Sequence, residues 1–226
     1  MDDNIIRILI STDNHLGFME KDPVRNDDAF SSFEEALYTA KSNHADLVLL
    51  AGDMFHENKP SRRTLHGTID LLRKYCFGND SVYIEMLNEQ TEVFKNRWGK
   101  VNYEDPYQAI SLPVFSIHGN HDDPSGGNEC LSALDLLSAS NLVNYFGKAE
   151  QVDSIDITPI LLRKGGTLLA IYGLGAIRDE RLNRMWNLKK IRFVRPPLDQ
   201  NRDEFFNIFV IHQNSKCFIS GVLKLR

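Results

Sequence analysis

Four apolar runs of this chain stop abruptly in side chains that bind metals or carry protons. Residues 5–10 lead into Ser11-Thr12-Asp13-Asn14-His15, and residues 46–51 into Gly52-Asp53-Met54-Phe55-His56. Residues 114–117 lead into His118-Gly119-Asn120-His121-Asp122-Asp123, and residues 205–211 into His212-Gln213-Asn214. Taken alone, a Gly-Asn-His-Asp turn is equally a plain loop with a capping Asn. Recurrence argues otherwise, because ligands of open α/β sheets bind at the carboxyl ends of strands, and each exit delivers candidate ligands there. The candidates are Asp13 and His15, Asp53, Asn120 with His121, and His212. Carboxylate, imidazole and amide oxygen together suit a pair of Mn, Fe or Zn ions, whereas an all-oxygen set would suit Mg or Ca. Two ions about 3.5–4 Å apart need a bridging ligand, and Asp53 is the candidate, since a carboxylate offers two oxygens. Asp13 and His15 stand two apart and project to one side if the extended backbone of the strand continues through them.

The elements between the exits must position these residues. Residues 29–44 carry Phe30, Phe33, Ala36, Leu37 and Ala40 at helical spacing, and residues 61–77 carry Leu65, Ile69, Leu72 and Cys76 behind a Ser61 N-cap. Strand and helix alternate, so a parallel sheet is predicted. Residues 79–111 have no clear period but hold Tyr83, Phe94, Trp98, Tyr103 and Tyr107, which suits an insertion used for partner contact better than a disordered loop. Further on, the pattern predicts a loop at 124–128, a helix over 130–140, and a hairpin of 155–162 with 168–174 around Lys164-Gly165-Gly166. A short helix over 179–187 and a proline-containing loop over 192–202 follow.

The 226 residues, 42% hydrophobic and 25% charged, suit one soluble globular domain with no apolar run of the roughly 20 residues that span a membrane. The acidic start Met1-Asp2-Asp3-Asn4 lacks the basic region of a secretory signal, so the chain is expected to stay inside the cell. Cys76, Cys130 and Cys217 are odd in number and form no Cys-x-x-Cys pair, which argues against disulfides and a zinc ribbon. A net charge of −5 does not by itself indicate nucleic-acid binding. The local clusters Lys59, Arg62, Arg63 and Arg178, Arg181, Arg184, Lys189, Lys190, Arg192, Arg195 read first as solvated faces. His44, His66 and His118 read as structural.

Asp-x-His, then Gly-Asp, then Gly-Asn-His-Asp resembles the signature of the calcineurin-like metallophosphoesterases. The flanking sequences, from Asp13-Asn14-His15-Leu16-Gly17-Phe18-Met19-Glu20-Lys21-Asp22 to Val210-Ile211-His212-Gln213-Asn214, resemble the double-strand-break repair nucleases of the meiotic recombination eleven family over residues 5–214. The resemblance implies an α/β sandwich of mixed β-sheets flanked by helices, with residues 1–214 as the nuclease domain and 215–226 as a divergent tail. It implies a manganese-dependent DNA endonuclease and 3'-5' exonuclease in which an activated water attacks a DNA phosphodiester. Asp13 and His15 would hold one Mn2+, Asp53 would bridge, and Asn120 and His212 would hold the other. His121 would orient the scissile phosphate and assist the leaving oxygen, with Asp122 fixing its ring and His56 near the substrate phosphate. It also implies a nuclear protein that binds DNA, no membrane, a homodimer through helices such as 61–77 and 130–146, a nibrin-type partner at 79–111, and a coiled-coil ATPase. For the dimer, Leu72→Asp is the natural probe.

The family completes its site with a further His and a Gly-His-x-His downstream of His212, and this sequence has no histidine there. The domain is therefore expected to be C-terminally incomplete, with weak metal affinity, little nuclease activity and unpaired sheet edges. Two other readings stay open: a non-catalytic module that dimerises and binds its partner through 79–111, or a metallophosphatase acting on proteins or small phosphoesters.

Overall fold

The computed structural model describes residues 4–124, 131–149, 153–197 and 202–213. Its first sheet is wholly parallel, in the order β1 (Ile8–Ser11), β2 (Leu47–Ala51), β4 (Val114–Ile117), β5 (Asn144–Tyr145). The second has the order β10 (Phe206–Ile211), β8 (Thr167–Leu174), β7 (Ile160–Lys164), β3 (Glu85–Met86), parallel at its first pairing and antiparallel at the others. A two-stranded sheet pairs β6 (Ile155–Ile157) with β9 (Ile191–Phe193).

Alternation along each strand explains the layering. In β2, Val48 and Leu50 face the helices α1 (Asp28–Ser42) and α2 (Arg62–Cys76), while Leu47 and Leu49 face the second sheet. Both faces are buried, which is why the strand reads as an unbroken apolar run. In β8, Leu169 and Ile171 meet the first sheet, and Ala170, Tyr172 and Leu174 form a third cluster with Leu182 and Met185 of α5 (Asp179–Asn187). The result is the mixed-sheet sandwich flanked by helices that the sequence implied.

Ser61 caps α2 as expected, its side chain accepting the Thr64 N–H at 3.1 Å. Leu72 is fully buried between α2 and the first sheet. It is therefore a core residue, and Leu72→Asp is no probe of a dimer surface because it would put a charge into the core. Residues 79–111 are packed rather than loose. Ile84, Met86, Phe94, Val101 and Ile110 are buried, the segment adds β3 to the second sheet, and α3 (Gln90–Val93) forms one helical turn. Tyr83, Trp98 and Tyr107 remain exposed.

Three boundaries differ from the pattern-based reading. The first arm of the hairpin splits at Thr158-Pro159, so that β6 leaves β7 and pairs with β9. Residues 192 and 193 of the expected loop are consequently strand, within β9. The helix near 130 is α4 (Ala133–Ala139), closed at its start by a capping box between Ser132 and Asp135. Residues 125–130, with Cys130 and most of the expected 124–128 loop, and the tail 214–226 lie outside the described residues. None of the described helices is long and apolar enough to cross a membrane.

Candidate metal centre

The centre is assembled where the exits of β1, β2 and β4 meet the exit of β10 from the opposite sheet. Asp53 lies at its middle, 3% exposed. Its Oδ1 accepts the backbone N–H of His121 at 2.8 Å, while its Oδ2 sits 3.3 Å from His212 Nε2 and 3.8 Å from His15 Nε2. One carboxylate oxygen thus lies between imidazoles delivered by two different sheets. Asp13 Oδ1 is 3.8 Å from the same His15 nitrogen. Asp13, His15, Asp53, Asn120, His121 and His212 all border one open cavity of about 930 Å³.

Two glycines make this approach possible. At Gly52, whose φ is +103°, a Cβ would fall 2.5 Å from His212 Nδ1, so the imidazole rests on the space of a missing side chain. At Gly119 a Cβ would fall 2.0 Å from Asp53 Oδ1. The first exit does not continue as extended chain. Asp13 and His15 have φ of 54° and 46°, and their N–H groups bond to the carbonyls of Gly52 and Asp53 at 3.1 and 3.0 Å. A pair of left-handed turns zipped to the β2 exit therefore brings both side chains to Asp53, in place of the strand alternation expected from sequence.

Asp122 is fully buried and does not hold the His121 ring. Its Oδ2 accepts the N–H groups of Met54 and Phe55 at 2.8 and 3.3 Å, and its Oδ1 accepts that of Gly119 at 2.6 Å. It ties the β2 exit to the β4 exit. The expected partner is corrected for a geometric reason: His121 Nδ1 lies instead 2.7 Å from the carbonyl of His56. Since a carbonyl only accepts, Nδ1 carries the hydrogen and Nε2 is left for the cavity. His56 stacks on His121 with ring centroids 5.2 Å apart, and its Nδ1 is 3.5 Å from His15 Nδ1.

His118 is structural, as expected. It is buried against Tyr145, whose hydroxyl lies 2.8 Å from its Nδ1, and burial pushes its pKa down to about 4. His44 and His66 border no part of the cavity. Arg63 and Arg192 pair with Asp27 and Asp156 on the surface, as solvated faces do. Arg178 is different: among the described residues it is the one Lys or Arg that borders the cavity.

Burial pushes the Asp53 carboxyl upward, but its bonds with His212 and the His121 N–H outweigh this and hold it below the ordinary carboxylate range. His212, bonded to Asp53, is raised to about 9. His15 is lowered chiefly by burial, against the pull of Asp53. Burial also raises Asp122, opposed by its three backbone donors. Asp13, Asp53 and His212 bring ligand atoms within 4.8 Å of one another, a hard-oxygen and imidazole set that fits a divalent transition cation.

Residues 6–220 match the family model of the calcineurin-like phosphoesterases. The chain belongs to that family. Within it, this phosphoesterase is 54% identical over 214 residues to double-strand break repair protein MRE11 of Homo sapiens, covering 94% of this chain and 30% of that protein. It is 52% identical over 218 residues to the MRE11 protein of Oryza sativa subsp. japonica, covering 93% and 31%. It is 50% identical over 210 residues to double-strand break repair protein mus-23 of Neurospora crassa, covering 92% and 28%. The phosphoesterase thus spans about 30% of the length of these relatives. Sequence reasoning identified its metal-seeking side chains but not the two glycines or the clamp of Asp122, whose roles lie in distances that no spacing rule encodes.

Proposed function

We propose that this phosphoesterase is the nuclease domain of a double-strand-break repair protein and hydrolyses DNA phosphodiesters, endonucleolytically and from 3' ends, with two Mn2+ ions. The observation that carries the reading is the position of Asp53 Oδ2 between His212 Nε2 and His15 Nε2, which suits a carboxylate shared by two cations. Asp13 and His15 would hold one ion, Asn120 and His212 the other, and Asp53 would serve both. When bound, the pair supplies a water of lowered pKa and neutralises charge developing on the phosphoryl oxygens. The protein groups do the rest. His121, its Nδ1–H anchored on the His56 carbonyl, turns Nε2 toward the scissile phosphate; as an imidazolium it would pass the Nε2 proton to the leaving oxygen and be left neutral, with its hydrogen on Nδ1. His56 stacks on that ring and keeps it upright, and Arg178 binds a neighbouring phosphate at the cavity rim. Asp122 acts one step back, by holding the two exits together.

The remaining assignments rest on similarity to the relatives. They are a domain over 1–214 with an insertion at 79–111 that takes a nibrin-type partner, a homodimer, association with a coiled-coil ATPase, and action in the nucleus. The exposed Tyr83, Trp98 and Tyr107 favour partner contact at the insertion. The activity is tested with nicked-plasmid and 3'-labelled duplex DNA beside p-nitrophenyl phosphate. Because the sequence has no histidine after His212, DNA cleavage is expected to be weak, to depend on manganese, and to be abolished by His121→Asn while Mn2+ binding persists. Cleavage of the small ester alone, or DNA cleavage untouched by His121→Asn, would overturn the reading.

A further inference from the structure

The carboxylate-rich centre is adjoined by a second constellation made only of imidazoles. His15, His56 and His121 offer ring nitrogens that all lie within 4.8 Å of one another, and each ring is part-exposed. Tetrahedral coordination with metal–nitrogen bonds of about 2.0–2.1 Å places ligand nitrogens roughly 3.3 Å apart. His15 Nδ1 and His56 Nδ1, 3.5 Å apart, already stand near that edge length. The His121 ring is perpendicular to that of His15, with centroids 4.8 Å apart, so it approaches from a third direction. Its tautomer is set by the His56 carbonyl, which leaves the Nε2 lone pair available to a cation.

We propose that His15, His56 and His121 form a separate site for an imidazole-preferring cation such as Zn2+, and that its occupancy excludes the manganese pair. The exclusion follows from His15, whose ring faces both sites. Its Nε2 points at Asp13 and Asp53, and its Nδ1 at His56. A neutral imidazole has one lone pair. With Nε2 on a cation at the carboxylates, Nδ1 carries the hydrogen and donates it to His56 Nδ1. With Nδ1 on a cation among the imidazoles, Nε2 must carry the hydrogen and turn it toward the carboxylates. The two arrangements are tautomers of one residue and cannot coexist. His121, bound through Nε2, would at the same time lose the nitrogen that serves the leaving group. Hard oxygen ligands favour Mn2+ at the first site, and three neutral nitrogens favour Zn2+ at the second. The inhibitory consequence rests on the nuclease reading above, whereas the site itself does not.

The test is a titration of the chain with Co2+, which reports tetrahedral coordination by visible absorption, followed by displacement with Zn2+. Bound Mn2+ is counted in parallel. The expected result is a tetrahedral Co2+ band displaced by Zn2+, with Mn2+ released as Zn2+ binds. His56→Gln should abolish the band and weaken Zn2+ binding at least tenfold while Mn2+ stoichiometry is retained. Zn2+ affinity unchanged in His56→Gln, or Zn2+ and Mn2+ bound together without competition, would overturn the proposal. Cleavage of p-nitrophenyl phosphate but not of DNA, with these metal responses intact, would count against the nuclease reading and leave the imidazole site standing.

Discussion

Asp122→Asn isolates what holds the two principal exits together. The side chain is fully buried, and its two oxygens accept three backbone N–H groups, from Met54, Phe55 and Gly119. An amide has one acceptor oxygen. Its better orientation keeps the Met54 and Phe55 bonds and turns an –NH2 toward the Gly119 N–H, where the original contact was 2.6 Å. One charge-assisted bond is lost, worth about 1.5–3 kcal/mol, and a buried donor is left unpaired at about 1–3 kcal/mol. Relief of the buried charge offsets part of this. The net cost is about 3 kcal/mol, or roughly 6–12 °C in Tm for a chain of this size. Because Asp53 lies next to the clamped Met54, Mn2+ affinity should also fall, by roughly 10–100-fold as for other groups that orient metal ligands. Thermal unfolding and calorimetric Mn2+ titration check both. A variant melting within about 2 °C of the parent with unchanged Mn2+ affinity would refute the clamp.

Other perturbations probe separate parts of the structure. Gly119→Ala should displace the Asp53 carboxylate, since the new methyl would lie 2.0 Å from Oδ1 and 2.4 Å from the Asp53 backbone nitrogen. Mn2+ binding should be lost even where circular dichroism shows a folded chain. His118, with a folded-state pKa of about 4 against an ordinary 6.5, leaves the unfolded chain binding more protons between those values. Its contribution is therefore complete above pH 6.5 and lost as pH falls toward 4, about 3 kcal/mol in all. Urea unfolding in metal-free buffer at both ends of that window should show this loss in the parent and not in His118→Gln. Leu72→Ala should cost about 2–5 kcal/mol in the same assay, as a core truncation.

The sequence revealed the apolar strands readily, because burial on both faces makes β2 and β4 continuous runs that stop where polar side chains begin. Helix α2 was equally clear from its period and its Ser61 cap. The split between β6 and β7 was hidden, since Ile155 to Leu162 reads as one apolar stretch and pairing with β9 depends on a distant segment. The packing of 79–111 was hidden for a related reason. Ile84, Phe94 and Val101 reach the core from short irregular elements that carry no periodicity. At the site, residue types pointed to the candidate ligands, but not to the left-handed turns that aim Asp13 and His15, nor to the partners of Asp122. Those depend on contacts between exits far apart in sequence, as in the bond that the Met54 N–H donates to Asp122, 68 positions away.

The most direct test of the centre is the number of Mn2+ ions bound per chain, counted by equilibrium dialysis and by exchange coupling in electron paramagnetic resonance, for the parent and Asp53→Asn. A carboxylate whose Oδ2 lies 3.3 Å from His212 and 3.8 Å from His15 should serve both ions. The parent should bind two coupled ions, and Asp53→Asn should lose the coupling and both sites together. Two ions retained by Asp53→Asn, or a single uncoupled ion in the parent, would contradict the shared centre.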